Sequence, residues 1–419
     1  MSARKALETL AVDLAGCHAG YNAYHDRAIA PGQTLSRIRP LFPALGITRV
    51  GLLTGLDTIG IPVAFATRPN SHTLSVFQGK GIDDEAAMAS AAMEALETRI
   101  AELAPADLRM ASVADMRAAS ATIDLDSVAR CVPSDISTDP IPWVAGYDLV
   151  SQSEVMVPWW LVGLDHRGIR PAGFEQSSDG LASGNSPAEA VLHGLCELVE
   201  RDAWALTQLR AWERLQDARI DPESLRDPLI DVFSQRIARA GMELLLVDMT
   251  TDIGVPAILA VIVPQNMPQR VDARWSQVCG GCGCHPDPVR AALRAITEAA
   301  QSRLTAIAGS RDDFSPRIYQ RLDGDSSMQQ LIGLREYRAL PFPLERFERR
   351  PAAVQATIQQ IVRSLTRHGI EQVIAVPLSS PDFPVSVVRV IVPGLEVEIV
   401  GDNIQLGLRA VHVLKESQQ

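Results

Sequence analysis

The stretch 181–204, LASGNSPAEAVLHGLCELVERDAW, decides how the rest of the chain is read. Ser186 followed by Pro187 marks a helix start: a hydroxyl able to cap, then a proline whose missing N–H costs nothing at the first helical position. The residues before it, with Gly184, read as a glycine-containing loop. At about 100° per residue, Ala188, Val191, Leu192, Leu195, Leu198, Val199 and Leu206 share one broad face. Glu189, His193, Glu197 and Glu200 share another. The apolar face predicts a helix packed on a core. The acidic stripe has two readings. In one it is a solvated face carrying an ordinary Glu197–Arg201 pair. In the other it faces a cation, because the like charges of Glu197 and Glu200 at i,i+3 destabilise a helix unless something neutralises them.

Composition narrows the class. With 419 residues, 47% hydrophobic and 21% charged, the chain fits a globular enzyme or binding protein with a large core. A net charge of −11 argues against a general nucleic-acid or anionic-membrane partner. No apolar run is long enough for a membrane span, and the N-terminus lacks the apolar core of a signal peptide. A cytoplasmic location is the expectation. Cys279, Cys282 and Cys284 cluster beside His285 in VCGGCGCH. That spacing could bind zinc or a cluster, but a closed site needs a fourth ligand, and the glycines suit a tight backbone turn.

The chain repeats one plan three times: an apolar strand, a glycine loop, then a helix with ExxE or ExxQ on one stripe. The first unit runs through SHTLSVFQGKGIDDEAAMASAAMEALETRIAELA, with a loop at Gly79-Lys80-Gly81 and a helix from 83 or 84 to about 103. The second is the opening stretch, its helical pattern continuing to about residue 215. The third is CGGCGCHPDPVRAALRAITEAAQSRL. The pairs are Glu94/Glu97, Glu197/Glu200 and Glu298/Gln301, spaced 103 and 101 residues apart. Ser90 shares the stripe of Glu94 and Glu97, and Arg294 that of Glu298 and Gln301. Around these units lie a helix over 3–14, an irregular segment to 45 in which Thr34 could cap the SRIRPLF run beyond it, and strands within 47–65. Residues 105–145 read as an insertion. Strands lie near 144 and over 155–162, 243–248, 257–263, 373–376 and 385–392, with helices over 229–240 and 352–367. A structural repeat needs only its apolar face to recur; here the acidic face recurs too. Four carboxylates brought together strain a fold without a counter-ion. Glutamate oxygens suit Mg2+, which takes a few carboxylates plus substrate phosphates. Arg201, Arg294 and Arg311 could meet phosphate oxygens or partner nearby acids on the surface. No GxxxxGK[ST] is present, so the site is not a P-loop. His193 lies on the acidic stripe, where a lone helical histidine is more often structural, and no general base is named.

These segments also resemble the YcaO superfamily. GLASGNSPAEAVLHGLCELVERDA resembles its central signature. SAAMEALETR, GCGCHPDPVRAALRAITEAAQSRL with GSRDD, and VVRVIVPGLE resemble its others, and GITRVGLLTGLDTIGIPVAFATRP the strands ahead of the first. The resemblance spans about residues 27–396. It implies an α+β ATP-binding fold, neither kinase nor P-loop, whose members use ATP to activate peptide backbone amides, giving azolines, thioamides or amidines. By this resemblance Glu94, Glu97, Glu197 and Glu200 hold Mg2+. Ser90, Asn185, Glu189, Arg201 and Gln301 contact nucleotide, and Arg27 and Thr34 supply N-terminal contacts. Arg294, Glu298 and Arg311 join that nucleotide set. Thr98 stands where the first motif usually has Arg, and Ala182 where some members have Ser.

The expected organisation is an N-terminal segment 1–45, with 28–45 in the nucleotide site, a catalytic domain 46–400 and a tail 401–419. Many azoline-forming members end in PxPxP, whereas this chain ends in AVHVLKESQQ. That looks more like stand-alone members working with a TfuA-type sulfur-delivery partner to make thioamides. The expectation is therefore an ATP- and Mg2+-dependent enzyme acting on a peptide or protein, forming a homodimer and binding neither nucleic acid nor membrane. Azoline cyclodehydration, a non-catalytic nucleotide-binding accessory role and a metal-cluster regulator are the alternatives.

Overall fold

The computed structural model describes residues 3–17, 24, 26–129, 131–167, 172–210, 215, 217–266, 277–313, 319, 331–347, 353–397 and 406–417. Helices α1 (Ala3–Leu14), α2 (Pro31–Ile38) and the short α3 (Phe42–Leu45) come first. Strands β1 (Arg49–Leu52), β2 (Val63–Thr67) and β3 (Val76–Lys80) lead into α4 (Asp84–Ala101). The expected insertion supplies β4 (Arg109–Ala111) and α5 (Val113–Ala119), followed by β5 (Ile141–Asp148) and β6 (Ser153–Pro158). Next come β7 (Leu181–Gly184), α6 (Pro187–Leu209), β8 (Arg219–Ile220), α7 (Pro228–Arg239), β9 (Met242–Asp248) and β10 (Ala257–Pro264). Strand β11 (Cys279–Cys284) runs into α8 (Pro288–Ala308). The chain closes with α9 (Val354–Arg367), β12 (Ile374–Pro377), β13 (Ser386–Ile391) and α10 (Leu408–Ser417).

Among the described residues the strands form three antiparallel sheets, ordered β1-β2-β3, β11-β10-β9-β8 and β4-β5-β12-β13-β7, with β6 beside β5. Strands β3, β7 and β11 are each an edge, and each continues into a site helix. The helices close the arrangement in a ring. Helix α4 packs on β3 and β7, α6 on β7 and β11, and α8 on β11 and β3. The three units thus stand in one cyclic relation, although β12 and β13, which complete the second unit's sheet, come about two hundred residues after β7.

The helix starts match the sequence closely. Asp83, Ser186 and Asp287 are the N-caps, their side chains accepting from Ala86 N, Glu189 N and Val289 N. Such caps satisfy N–H groups the helix cannot bond itself.

Four expectations are corrected. The three glycine loops are largely strand: Gly79 and Lys80 lie in β3, Gly184 ends β7, and the whole CGGCGC run is β11. Glycine serves there for close approach, because a Cβ at Gly79, Gly281 or Gly283 would fall well inside 3.0 Å of the main chain of the helix that comes after it. Helix α6 ends at Leu209, where Arg210 turns extended, short of the expected 215; residues 211–214 and 216, the rest of that expected pattern and its end, lie outside the described residues. Thr34 does not cap the segment after it. Pro31 starts α2 earlier, which puts Thr34 inside the helix. Finally, β6 stops at Pro158 and residues 159–161 form a tight helical turn. No disulfide joins the six cysteines, and no helix among the described residues is long and apolar enough to cross a membrane.

Candidate functional site

The acidic stripe faces inward. Within α6, Glu189 and Glu200 are 3% and 4% exposed, so the solvated-face reading does not hold for them. Glu94, Glu197 and Glu298 each stand at the eleventh residue after their N-caps Asp83, Ser186 and Asp287. Three helices started at matched points therefore bring their acids to matched depth. The carboxylates feel one another electrostatically in a chain: Glu97 with Glu94 and Glu197, Glu197 with Glu200, and Glu200 and Glu94 with Glu298.

Burial and mutual repulsion raise these groups. Burial pushes Glu94 up to about 7, with Glu298 adding to the rise and Arg311 and Lys80 opposing it. Glu97 rises to about 8, again through burial first, despite a hydrogen bond from Ser183 Oγ at 2.6 Å. Glu197 also rises to about 8 through burial, though Arg201 lies 3.9 Å away and draws it down. Glu200 is raised by burial and by Glu298. Glu298 goes the other way: in spite of burial it is held below the usual carboxylate range by Lys80, to which it is bonded, and by Arg201 and Arg294. Acids kept partly protonated by their surroundings are acids short of positive charge.

Cations and amides rim this cluster. Arg201 lies 3.4 Å from Asp179 as well as near Glu197. Arg294 acts on Glu200 and Glu298, and its Nε is a buried donor with no hydrogen-bond acceptor among the described residues. Arg311 forms a two-point pair with Asp313 at 2.9 and 2.6 Å, so its surface-pairing reading is realised, while its charge still reaches Glu94. Gln301 Nε2 donates to Gln78 O at 3.5 Å. Ser90 is half-buried, one turn before Glu94 on α4. On the second unit, Asn185 N and Nδ2 donate to Glu189 Oε2 at 2.8 and 3.0 Å, and Thr34 Oγ1 donates to Asn185 Oδ1 at 2.9 Å. Arg27 Nη1 donates to Ser183 O at 2.7 Å and lies 3.6 Å from Glu189. The structure thus gathers Arg27, Thr34, Asn185 and Glu189 at one end of the acid cluster, and Arg201, Arg294, Gln301 and Arg311 around the rest.

One residue of the cluster escapes the sequence reading, and a second, His193, stands there on the acidic stripe only as a structural histidine. Lys80 is central, acting on Glu94, Glu200, Glu298 and His193; a single lysine between two glycines just before the first acidic helix was the available signal. His193 is held well below its ordinary value by burial and by Arg294, Arg27 and Lys80, so it is neutral. Its Nδ1 stands 3.2 Å from Arg27 Nη2, where a neutral ring nitrogen can accept. The substitutions at the two departures fit their places. Thr98 bonds back to Glu94 O at 2.9 Å, and Ala182 is fully buried in β7 opposite Val388.

The donors fit Mg2+ with a phosphate ligand. The first two helices offer glutamate oxygens, the donors a hard cation takes, and the orphaned Arg294 N–H suits an anionic oxygen. Among the described residues no group of three or more His, Cys, Asp or Glu is arranged to hold a metal ion unaided. Mg2+ commonly completes its shell with substrate phosphate and water. The cysteine run is built differently. Cys282 and Cys284 sit in the core, and burial pushes Cys279 up to about 12 and Cys284 well above its ordinary value. With no metal bound, burial favours the thiol form of Cys279 and Cys284.

The chain is similar to several known proteins. A family model described as YcaO cyclodehydratase, ATP- and Mg2+-binding, matches residues 78–396. An uncharacterised protein in the tfuA 3' region of Rhizobium leguminosarum bv. trifolii is 68% identical over 419 residues, all of both chains. The structure of YcaO from Methanopyrus kandleri bound with AMPPCP and Mg2+ superposes with a TM-score of 0.68 at 24% identity, covering 92% of this chain and 98% of that one. A heterocyclase in complex with substrate and cofactor gives a TM-score of 0.72 at 20% identity, covering 91% of this chain and 54% of that one. The chain belongs to the YcaO family, whose cofactors are ATP and Mg2+.

Proposed function

We propose that this protein uses ATP and Mg2+ to activate a peptide backbone amide by O-phosphorylation, and that it exchanges the amide oxygen for sulfur with a TfuA-type partner. The observation that carries the reading is the inward-facing cluster of Glu94, Glu97, Glu197 and Glu200, raised by burial and rimmed by Lys80, Arg201 and Arg294. The nucleotide and metal in the Methanopyrus kandleri structure support it. The tfuA neighbourhood of the Rhizobium relative supports the partner.

In this reading the four glutamates hold Mg2+, which offsets charge on the transferred phosphoryl group. Arg201, Arg294 and Arg311 hold phosphate oxygens. Arg27, Thr34, Ser90, Asn185, Glu189, Glu298 and Gln301 seat the rest of the nucleotide. The amide oxygen attacks the γ-phosphorus and ADP departs. A sulfur nucleophile adds to the activated amide carbon, and phosphate leaves with the former amide oxygen. The net result is a thioamide, ADP and phosphate. Residues 46–400 carry the chemistry, with 28–45 completing the nucleotide site.

Azoline formation is the second reading, favoured by the family's description as a cyclodehydratase. There a neighbouring Cys, Ser or Thr side chain attacks the activated carbon and the peptide loses water. Mass spectrometry of a candidate peptide incubated with the protein, ATP, Mg2+, sulfide and the partner tests both. Exchange of oxygen for sulfur supports thioamidation and loss of one water selects cyclodehydration. An unchanged peptide with no phosphate release defeats both and leaves an accessory role.

A further inference from the structure

The residue three places after each N-cap is Ala86 in α4, Glu189 in α6 and Arg290 in α8. Glutamate is favoured in the first helical turn, where the helix dipole presents its positive end; arginine is not. Arg290 is also only 3% exposed. A buried cation in that position needs a counter-charge, and Asp26 supplies it: Arg290 Nη1 lies 2.5 Å from Asp26 Oδ1.

Asp26 has a second buried partner. His285, 3% exposed, lies between β11 and α8, and its Nε2 is 2.8 Å from Asp26 Oδ2. Its Nδ1 accepts from Asp287 N at 2.9 Å. A ring nitrogen that accepts carries no proton, so the hydrogen is on Nε2 and points at Asp26. Burial holds this histidine below its ordinary value, in keeping with the neutral tautomer. Asp26 is thus fixed to the third unit by a charged pair on one oxygen and a histidine N–H on the other.

The next two residues cross to the second unit. Arg27 donates to Ser183 O, and Ala28 N donates to Glu189 Oε1 at 2.7 Å. Residues 26–28 therefore tie the first turns of α8 and α6 together, with Arg27 aimed inward between the anchors.

We infer that Asp26, His285 and Arg290 form a latch that positions Arg27 for the nucleotide, making Asp26 a positioning residue of the site. The inference rests on the nucleotide-binding reading above. An arginine held on one side only would keep its hydrogen bond to Ser183 but lose a fixed main-chain direction.

The test is a double-mutant cycle on the full chain, read as the dissociation constant of a non-hydrolysable ATP analogue with Mg2+. Asp26→Asn should weaken binding by about 10- to 100-fold, the range seen when a group that orients a ligand-binding side chain is removed. Arg27→Met should weaken it by at least as much. Their combination should be little worse than Arg27→Met alone, because Asp26 acts through Arg27. His285→Gln, which keeps a donor near the Nε2 position, should retain most of the affinity, whereas His285→Leu, which removes that donor to Asp26, should weaken binding and carries the same cycle if Asp26→Asn does not fold. Losses that add in full mean that Asp26 serves general stability, and they overturn the inference. Parent-like affinity in Asp26→Asn overturns it too while leaving the nucleotide reading intact. Failure of the parent to bind the analogue overturns both.

Discussion

Ser183 donates its hydroxyl to Glu97 at 2.6 Å, a bond from the strand of the second repeat to the helix of the first. Lys80 makes the corresponding cross-connection from the first strand to Glu298 on the third helix. Each of these strands thus supports a neighbouring unit's acid, and the site belongs to none of the three units alone.

The raised carboxylates give metal-free protein a definite response to pH. A glutamate near 4.5 in the unfolded chain and at about 8 in the fold binds more protons when folded. Its contribution is fully present below the unfolded value and is lost as pH rises through the folded one. Metal-free stability should therefore fall between about pH 4.5 and 8. Glu97→Gln should remove part of that slope and raise stability at pH 8 by on the order of 1–3 kcal/mol, with little gain at pH 4. Thermal melts across pH check this; a parallel slope in the variant would contradict it.

The strand glycines should resist the smallest enlargement. A Cβ at Gly79 would meet the main chain of Ala87 and Ala91, atoms that cannot move aside as a side-chain tip can. Gly79→Ala should destabilise by at least about 1–3 kcal/mol, the usual range for overpacking. Gly55, where an added Cβ would have nothing within 4 Å, serves as the control. Equal denaturant midpoints for the two alanine variants would refute the close-packing account.

The C-terminal helix is tied to the site helix by charge. Arg409 pairs with Asp202 through Nε and Nη2 at 2.9 and 3.0 Å, and Asp202, adjacent to Arg201, is fully buried. Glu396 accepts from Gly407 N and Ala410 N at the start of α10. Arg409→Ala leaves Asp202 buried without that partner, a change that costs about 3–5 kcal/mol for a buried pair. Hydrogen exchange over residues 408–417 should rise sharply. Unchanged protection would show that Ala410 and Val413, packed against Leu206, hold the helix unaided.

Much of this was legible in the sequence, and what was not has a physical cause. Ser186 and the aspartates at 83 and 84 announce their helices because capping is a local interaction. The acid pairs announce a site because their spacing repeats. The glycine segments misled because glycine is common in turns, whereas here it occupies strands that must touch a helix backbone. The second unit's sheet left no local trace, since β13 pairs with β7 across about two hundred residues. Asp26 and His285, 259 positions apart, are likewise joined only by the fold.

The composite Mg2+–nucleotide site is tested most directly by titrating the protein with a non-hydrolysable ATP analogue, with and without Mg2+, for the parent and Glu197→Gln. The account predicts tight binding only for the parent with Mg2+, and a loss of that enhancement by about tenfold or more in the variant. Equal affinity in all four titrations would contradict it.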